Sequence, residues 1–401
     1  MRNADNNCDY DVAVIGGGLA GLSLSSILGR NGVATACIDA GNPAQMLNAD
    51  YDVRTTAISA GSRHVLEEAG IWADLDVNAC PITAIEIRDG VSATKLDFDA
   101  QEVEAEAFGW IVENHNLRRA LFQQADCVPA LSHIAPARVA DMQAHNDYMR
   151  VIFHDGTQIT ARLVLGADGR GSFVRRRLGI GTRGHAYNQQ AIVCIVNHDK
   201  PHNNCALEHF RDEGPFAVLP MRDDAKGQHR SSIVWTEDAH KDSSAMAYDE
   251  ATFNAALQAR FPARYGHVEL AGTRAAYPLG LTHAHSYTGH RVALVGDAAH
   301  GIHPIAGQGL NMGLRDIADI TKRIIHARAH NRDIGASDLL SAYVQARMGD
   351  NMAMGFATDS LNSLFSNALP GIRLVRRLGL DGVARIRPVK RFFMTQAMGA
   401  P

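Results

Sequence analysis

The spacing of apolar residues changes period several times along this chain, and each change marks an element. Tyr10–Ile15 is a compact β-rich run, the stretch after it stays apolar through Arg30 with glycines at its start, and 33–38 is apolar again. These runs predict strand, helix and strand, the first two joined by Gly16-x-Gly18-x-x-Gly21 and the last ending at Asp39. Positions 54–70 predict a turn and then an amphipathic helix with Val65, Leu66 and Ala69 on its apolar side. Positions 82–99 alternate about the turn pair Asp89-Gly90 and predict paired strands, whereas 109–120 predicts a helix. A β-meander over 133–155, with its own turn at Asp155-Gly156, leads to a buried strand at 163–166 and a short basic helix from Ser172. Three β-rich runs, 191–196, 216–219 and 231–236, precede a helical stretch at 245–260, and 277–281 leads back toward the first unit. The run 291–295 predicts a short strand, followed by the turn Gly296-Asp297, a glycine loop and a helix from Leu310. Amphipathic helices follow at 317–329 and 338–348, then a stretch at 357–369.

Composition narrows the class. A chain of 401 residues suffices for two or three packed units, and 46% hydrophobic with 20% charged residues is the balance of a soluble globular protein. A net charge of −4 without a global basic excess argues against nucleic acid as a partner. Cys8, Cys37, Cys80, Cys127, Cys194 and Cys205 include no Cys-x-x-Cys pair, so neither a zinc site nor a secreted disulfide framework is indicated, and a reducing cytoplasm fits best. The polar, acidic start MRNADNNCDYD is no signal peptide. The uncharged run 12–29 is short and rich in glycine near its start, which favours a buried strand and helix over a membrane span.

Candidate chemistry concentrates at glycines. Gly16, Gly18 and Gly21 after a strand, with Asp39 lying 23 residues beyond Gly16 (39 − 16), form a dinucleotide fingerprint. The first glycines make the turn and admit a pyrophosphate, the third lets helix and strand pack, and Asp39 accepts from ribose hydroxyls. At this motif FAD and NAD are indistinguishable. Asp297, at a strand end, can also accept from sugar hydroxyls, while Gly307 and Gly309 let the backbone approach a flat ligand. The helix starting at Leu310 offers free N–H groups to an anion. Asp168-Gly169 reads locally as a turn, Arg54 as a solvated or capping charge, and ENHNL at 113–117 as a polar helix start. Phe210, Pro220 and Trp235 are the candidate apolar lining of a cleft roofed by the β-rich runs. His300 and His303, with His283 and His285 upstream, have no acidic residue at ligand spacing, so no metal is expected. No serine sits in a Gly-x-Ser-x-Gly elbow, so hydrolase chemistry lacks a nucleophile and a cofactor must carry catalysis. Near the end, Arg373, Arg376, Arg377, Arg385, Arg387, Lys390 and Arg391 interleave with Leu374, Leu378, Phe392 and Phe393.

GDAAHGIHPIAGQGLNMG at 296–313 resembles the second FAD-contacting motif of the group A, p-hydroxybenzoate hydroxylase-like, flavoprotein monooxygenases. HPIAGQGLNMGLRD and the terminal PVKRFFMTQAMG resemble the branch that hydroxylates ubiquinone precursors, and the likeness runs over essentially the whole chain. This resemblance implies an α/β fold: a Rossmann-like FAD-binding domain assembled from 1–75, 105–180 and 270–340, an inserted β-sheet substrate domain from 76–104 and 181–269, and a helical carboxyl-terminal region at 341–401. It further implies that Asp297 holds the ribityl chain, that Pro304 borders flavin and substrate, and that the backbone from Gly309 through Leu310 and Asn311 to Met312 meets the pyrimidine side of the ring. Arg54 would lie beside the flavin, Asn116 or Arg118 would supply another contact, and Asp168, Ser172 and Arg175 occupy the places of the family's Asp-Gly motif.

The implied reaction is hydroxylation of a polyprenyl phenol by dioxygen through a flavin hydroperoxide, with NAD(P)H as a transient reductant or another donor in its place. No residue is singled out as catalytic. The basic and apolar tail would make the protein peripheral at the inner face of the membrane or bring it to a complex of ubiquinone biosynthesis. A flavin-dependent isoprenoid lipid reductase and a flavin-holding scaffold subunit remain as alternatives.

Overall fold

The computed structural model describes residues 8–48, 51–90, 95–211, 213–239, 244–302 and 307–365, together with Pro388, Lys390, Arg391, Met394, Thr395 and Met398. Among these residues the strands form three sheets. The first runs in the order Thr288–Gly289, Val292–Leu294, Gln158–Gly166, Tyr10–Ile15, Thr35–Ile38, Leu131–Ile134, with Met149–Phe153 and Val139–Ala144 attached antiparallel beside Gln158–Gly166. The five strands from Val292–Leu294 to Leu131–Ile134 are mutually parallel. A parallel sheet is covered on both faces, and these strands accordingly carry unbroken apolar runs such as Val12, Ala13 and Val14, all fully buried. Helices Leu19–Arg30, Asn114–Cys127 and Gln308–Ala329 join the same core.

Register decides where the site can be. Ile15 lies opposite both Ile38 and Gly166, and Gly166 lies opposite Leu294. Four strands therefore end side by side, and the segments led by Gly16, Asp39, Asp168 and Asp297 all leave from one carboxyl edge, where open α/β sheets bind ligands.

The second sheet runs in the order His300–Gly301, Val268–Ala284, Thr182–His198, His229–Asp238, Gly214–Pro220, Cys205–Arg211, Ala84–Asp89, Lys95–Asp99. One face is filled by Ile192, Leu207, Phe216, Val218, Ile233 and Trp235, packed on Phe253 and Leu257 of helix Glu250–Gln258. The opposite face presents Ala206 and Phe210 to a third apolar cluster with Phe98, Phe108 and Ile111. A small third sheet is formed by Thr55–Ser59, Gly109–Glu113 and Cys80–Ile82.

Several expected elements change. Residues Gly109–Glu113 are a strand, and the helix begins only at Asn114, because Trp110, Ile111 and Val112 are bulky or β-branched residues suited to the pleat. Thr55–Ser59 is likewise a strand ahead of helix Ala60–Glu68. The separate helices expected over 338–348 and 357–369 are one helix, Ser337–Phe365, and 366–369 lies outside the described residues. The second sheet, antiparallel except where Cys205–Arg211 runs parallel to Ala84–Asp89, keeps Val268–Ala284 throughout, so the boundary drawn at 270 falls inside a strand.

Candidate active site

The glycine fingerprint is built as its spacing predicts. Gly16 has φ +106°, and a Cβ there would stand 2.4 Å from the Ala167 carbonyl oxygen. At Gly21 a Cβ would come within 1.8 Å of Gly16 O, which closes helix onto strand. Gly18, the N-cap of helix Leu19–Arg30, instead has nothing within 4 Å of an added Cβ and no side-chain cap, so the amide end of the helix opens to a ligand. Asp39 accepts from Gly17 N and Gly41 N, each at 2.6 Å. A carboxylate has about four acceptor positions, so two remain for further donors.

Asp297 follows Gly296 (φ +61°), stays half exposed and has Arg170 Nε at 3.5 Å. Its neighbour is fixed from below: Gly296 N donates to Asp316 Oδ2 at 3.1 Å. Asp316 is fully buried, with His300 Nε2 at 2.5 Å on the same oxygen and Arg347 Nε at 2.9 Å and Asn351 Nδ2 at 3.0 Å on the other. Tyr343 adds a bond from its hydroxyl to the Leu294 carbonyl, 2.8 Å. His300, which invited a metal reading, is thus a partner of Asp316.

The Asp-Gly segment is held internally. Asp168 accepts from Ser172 Oγ at 2.5 Å and from the amides of Phe173 and Val174 at 2.7 and 3.1 Å, so its carboxylate caps the short helix Phe173–Arg177. Buried Arg175 then bridges this segment to the next, donating to Ala298 O at 2.7 Å and Arg170 O at 2.6 Å.

Gly307 caps helix Gln308–Ala329 at φ +64° without a side-chain bond. A Cβ on Gly309 would meet nothing within 4 Å, and half-buried Leu310 follows it. The Asn311 side chain accepts from Ser59 N at 3.0 Å and donates to Ala57 O at 2.8 Å and Gly307 O at 3.1 Å. That side chain bolts strand Thr55–Ser59 to the helix and leaves the backbone amides for a ligand. Pro304 lies outside the described residues.

Arg54 is half exposed, clamped to Asp52 by Nε at 2.7 Å and Nη2 at 2.8 Å, with Tyr277 beneath it at 4.8 Å. Asp52, which sequence reasoning passed over, also takes Arg118 Nη2 at 3.1 Å and Asn114 Nδ2 at 3.0 Å. Burial would raise its carboxyl, but the Arg54 bonds and charge and the Asn114 bond outweigh this and hold it down at about 2. Arg118 is buried in this cluster, whereas Asn116 faces away and accepts from Arg119.

The face of the second sheet turned to strand Thr55–Ser59, which it touches where Thr55 Oγ1 meets Ser232 Oγ at 2.8 Å, is the candidate cleft face. Phe210 lies on this face, buried in the third apolar cluster. Trp235 does not: it stacks on Phe253 and lies under Arg260 on the helix-covered face. Pro220 pairs with Ser231, in step with Val218 and Ile233, and so belongs to that same face. Alternation along a strand distinguishes two faces without telling which one a helix covers.

The family model described as FAD binding domain matches residues 9–354. The ubiquinone hydroxylase UbiL of Rhodospirillum rubrum is 42% identical over 389 residues, covering 97% of this chain and 89% of the relative. The 3-demethoxyubiquinol 3-hydroxylase of Escherichia coli is 33% identical, covering 98% and 99%. Among solved structures, p-nitrophenol 4-monooxygenase from Pseudomonas putida shares the fold with a TM-score of 0.77 at 19% identity, covering 98% of each chain.

Proposed function

This chain belongs to the FAD binding domain family, and from that premise we propose that it is an FAD-dependent aromatic-ring hydroxylase, a monooxygenase acting on a polyprenyl phenol intermediate of ubiquinone biosynthesis. The observation that carries the cofactor assignment is the contrast among the motif glycines: Gly18 and Gly309 are open where a Cβ would go, while Gly16 and Gly21 are packed shut. Such a cradle fits one extended dinucleotide. Bound FAD supplies the electron storage and dioxygen activation that side chains lack. In this reading Gly16, Gly18 and Gly21 seat the pyrophosphate, Asp39 the adenosine ribose and Asp297 the ribityl chain. The amides of Gly307, Gly309, Leu310 and Asn311, with Pro304, meet the ring, and Arg54, Arg118 and the Asp168 segment frame it. NAD(P)H is the proposed reductant, visiting transiently because the sequence offers no second glycine fingerprint for it.

The purified protein is expected to be yellow with about one FAD per chain, and Asp297→Ala and Asp39→Ala to lose flavin, the lost charge-assisted bonds being worth about 1.5–3 kcal/mol each. Both variants keeping full FAD would overturn the cofactor site. NAD(P)H oxidation should depend on a phenol and yield hydroxylated product. Saturation of an isoprenoid chain would favour the reductase, and no turnover the scaffold.

We further propose that the carboxyl-terminal segment brings the cleft to a membrane or a partner presenting the lipid. Among the described residues no helix is long and apolar enough to cross a membrane. Met394 is buried in the cleft-side cluster, Lys390 Nζ pairs with Glu102 at 2.7 Å, Gly61 N donates to Met398 O at 3.1 Å, and Arg391 is exposed. Arg373, Arg376, Arg377, Arg385, Arg387, Phe392 and Phe393 lie outside the described residues. Each arginine near an anionic bilayer is worth about 1 kcal/mol. Neutralising Arg387 and Arg391, while sparing the paired Lys390, should weaken flotation with anionic liposomes and leave FAD content unchanged. Flotation and co-purification that both ignore the change would reduce the segment to a structural cap.

A further inference from the structure

Glu208 is an acidic residue in an apolar place. It sits in strand Cys205–Arg211 between Ala206 and Phe210 on the cleft face, opposite Ala217 on one neighbouring strand and Ile87 on the other. Ala206, Phe210 and Ile87 all belong to the cleft-side cluster, as does Ala57, which also abuts Gly307 at the start of the ligand-facing helix. Among the described residues its carboxylate has no hydrogen-bond or ion-pair partner. Desolvation alone pushes its carboxyl up to about 7, although its surface is only half buried. Such a side chain is dry enough to hold its proton near neutral pH and still keeps surface that a ligand can reach. Unpaired acids are costly to keep in such surroundings, so a task is the natural reason for one.

We propose that Glu208 accepts the hydrogen bond of the substrate's phenolic hydroxyl in the cleft and takes its proton, which rests on the hydroxylase reading above. The O–H bond breaks, its electron pair stays on oxygen and spreads into the ring, and the ring carbon that receives oxygen becomes richer in electrons. The proton rests on the carboxylate and returns to the same oxygen once the ring carbon has lost its own hydrogen to water. Other charged groups bear on this face, among them Arg230, in step with Ser232 and paired with Glu113 at 3.2 Å, and Arg54, paired with Asp52 over Tyr277. Asp89 lies one row along on the adjacent strand, opposite Phe210, and the Lys390–Glu102 ion pair stands over Phe98 on the covering segment.

The test uses Glu208→Gln in the FAD-loaded full chain with a short-chain prenyl phenol. A positioned base contributes about 10²-fold or more, so product formation should fall by at least that factor, and the rise of the wild-type rate with pH, centred near 7, should vanish. NAD(P)H oxidation without product should persist. Because the folded value is raised, Glu208 favours the fold below the ordinary carboxylate range and forfeits that as pH rises through about 7, so the variant should melt no lower than wild type at pH 8. The absorbance of phenol bound to wild-type protein gives a reading independent of the variant's folding: a phenolate band should appear well below the free phenol's pKa. A wild-type enzyme that hydroxylates, beside a Gln variant with the same rate and pH profile or a bound phenol that ionises like the free one, overturns the assignment alone. A wild-type protein that hydroxylates no phenol overturns the parent reading with it.

Discussion

Alanine at position 316 is expected to cost about 3–5 kcal/mol of folding free energy and to leave the protein without flavin. The side chain is fully buried and receives four groups, from Gly296, His300, Arg347 and Asn351. Removing it strands the Arg347 guanidinium with Asp350 as its other acidic partner and orphans the Gly296 amide, one residue from Asp297. The turn that aims Asp297 then loses its anchor, so stability and cofactor retention fall together. Asp316→Asn separates charge from shape and should fall between alanine and wild type. Burial raises the Asp316 carboxyl, but the His300 charge and bond, the Arg347 charge and the Asn351 bond prevail and hold it below the ordinary range. Its contribution is therefore present above the usual carboxylate range and lost as pH falls through the depressed value, so the gap between wild type and Asp316→Asn should close in acid. Urea unfolding with flavin absorbance measures both effects. An alanine variant of wild-type stability that keeps its flavin would show that the cluster does not support the turn.

What could be read from sequence was local. Gly16, Gly18, Gly21 and Asp39 are legible because a strand, a tight turn and a helix start impose their spacing within a single unit. That the Asp168 and Asp297 segments join them follows from three parallel pairings, which no local pattern encodes. Asp316 lies in an amphipathic helix, where one acid looks like any solvated position, and its partner Arg347 is 31 residues away. Asp52 is recognised only through Arg118 and Asn114, more than 60 residues on. Glu208 was invisible for the opposite reason: a charge alternating with Leu207 reads as the wet side of a strand, and only the cluster packed over that side makes it dry. The strand at Gly109–Glu113 is not legible because the short apolar run Trp110, Ile111 and Val112 directly before a helix has no period of its own.

Leucine at Gly18 should give a folded protein that no longer holds FAD, whereas valine at Gly21 should not fold. Gly18 has φ −73° and ψ −172°, an extended conformation that leucine adopts without strain, and its Cβ direction meets nothing within 4 Å. The added side chain must enter the space at the helix's amide end, where the pyrophosphate is proposed to sit. Losing two charge-assisted bonds there, at about 1.5–3 kcal/mol each, weakens FAD binding by roughly 10²- to 10⁴-fold. At Gly21 the first added carbon already lies 1.8 Å from Gly16 O, a backbone atom that cannot withdraw without parting helix from strand. Overpacking of that kind exceeds the usual cost of about 1–3 kcal/mol, because both partners are main chain. Circular dichroism and flavin release on the two variants separate a cradle from a packing contact. A Gly18→Leu protein that is folded and fully yellow would move the pyrophosphate elsewhere, and the dinucleotide assignment of the first glycine motif would fall with it.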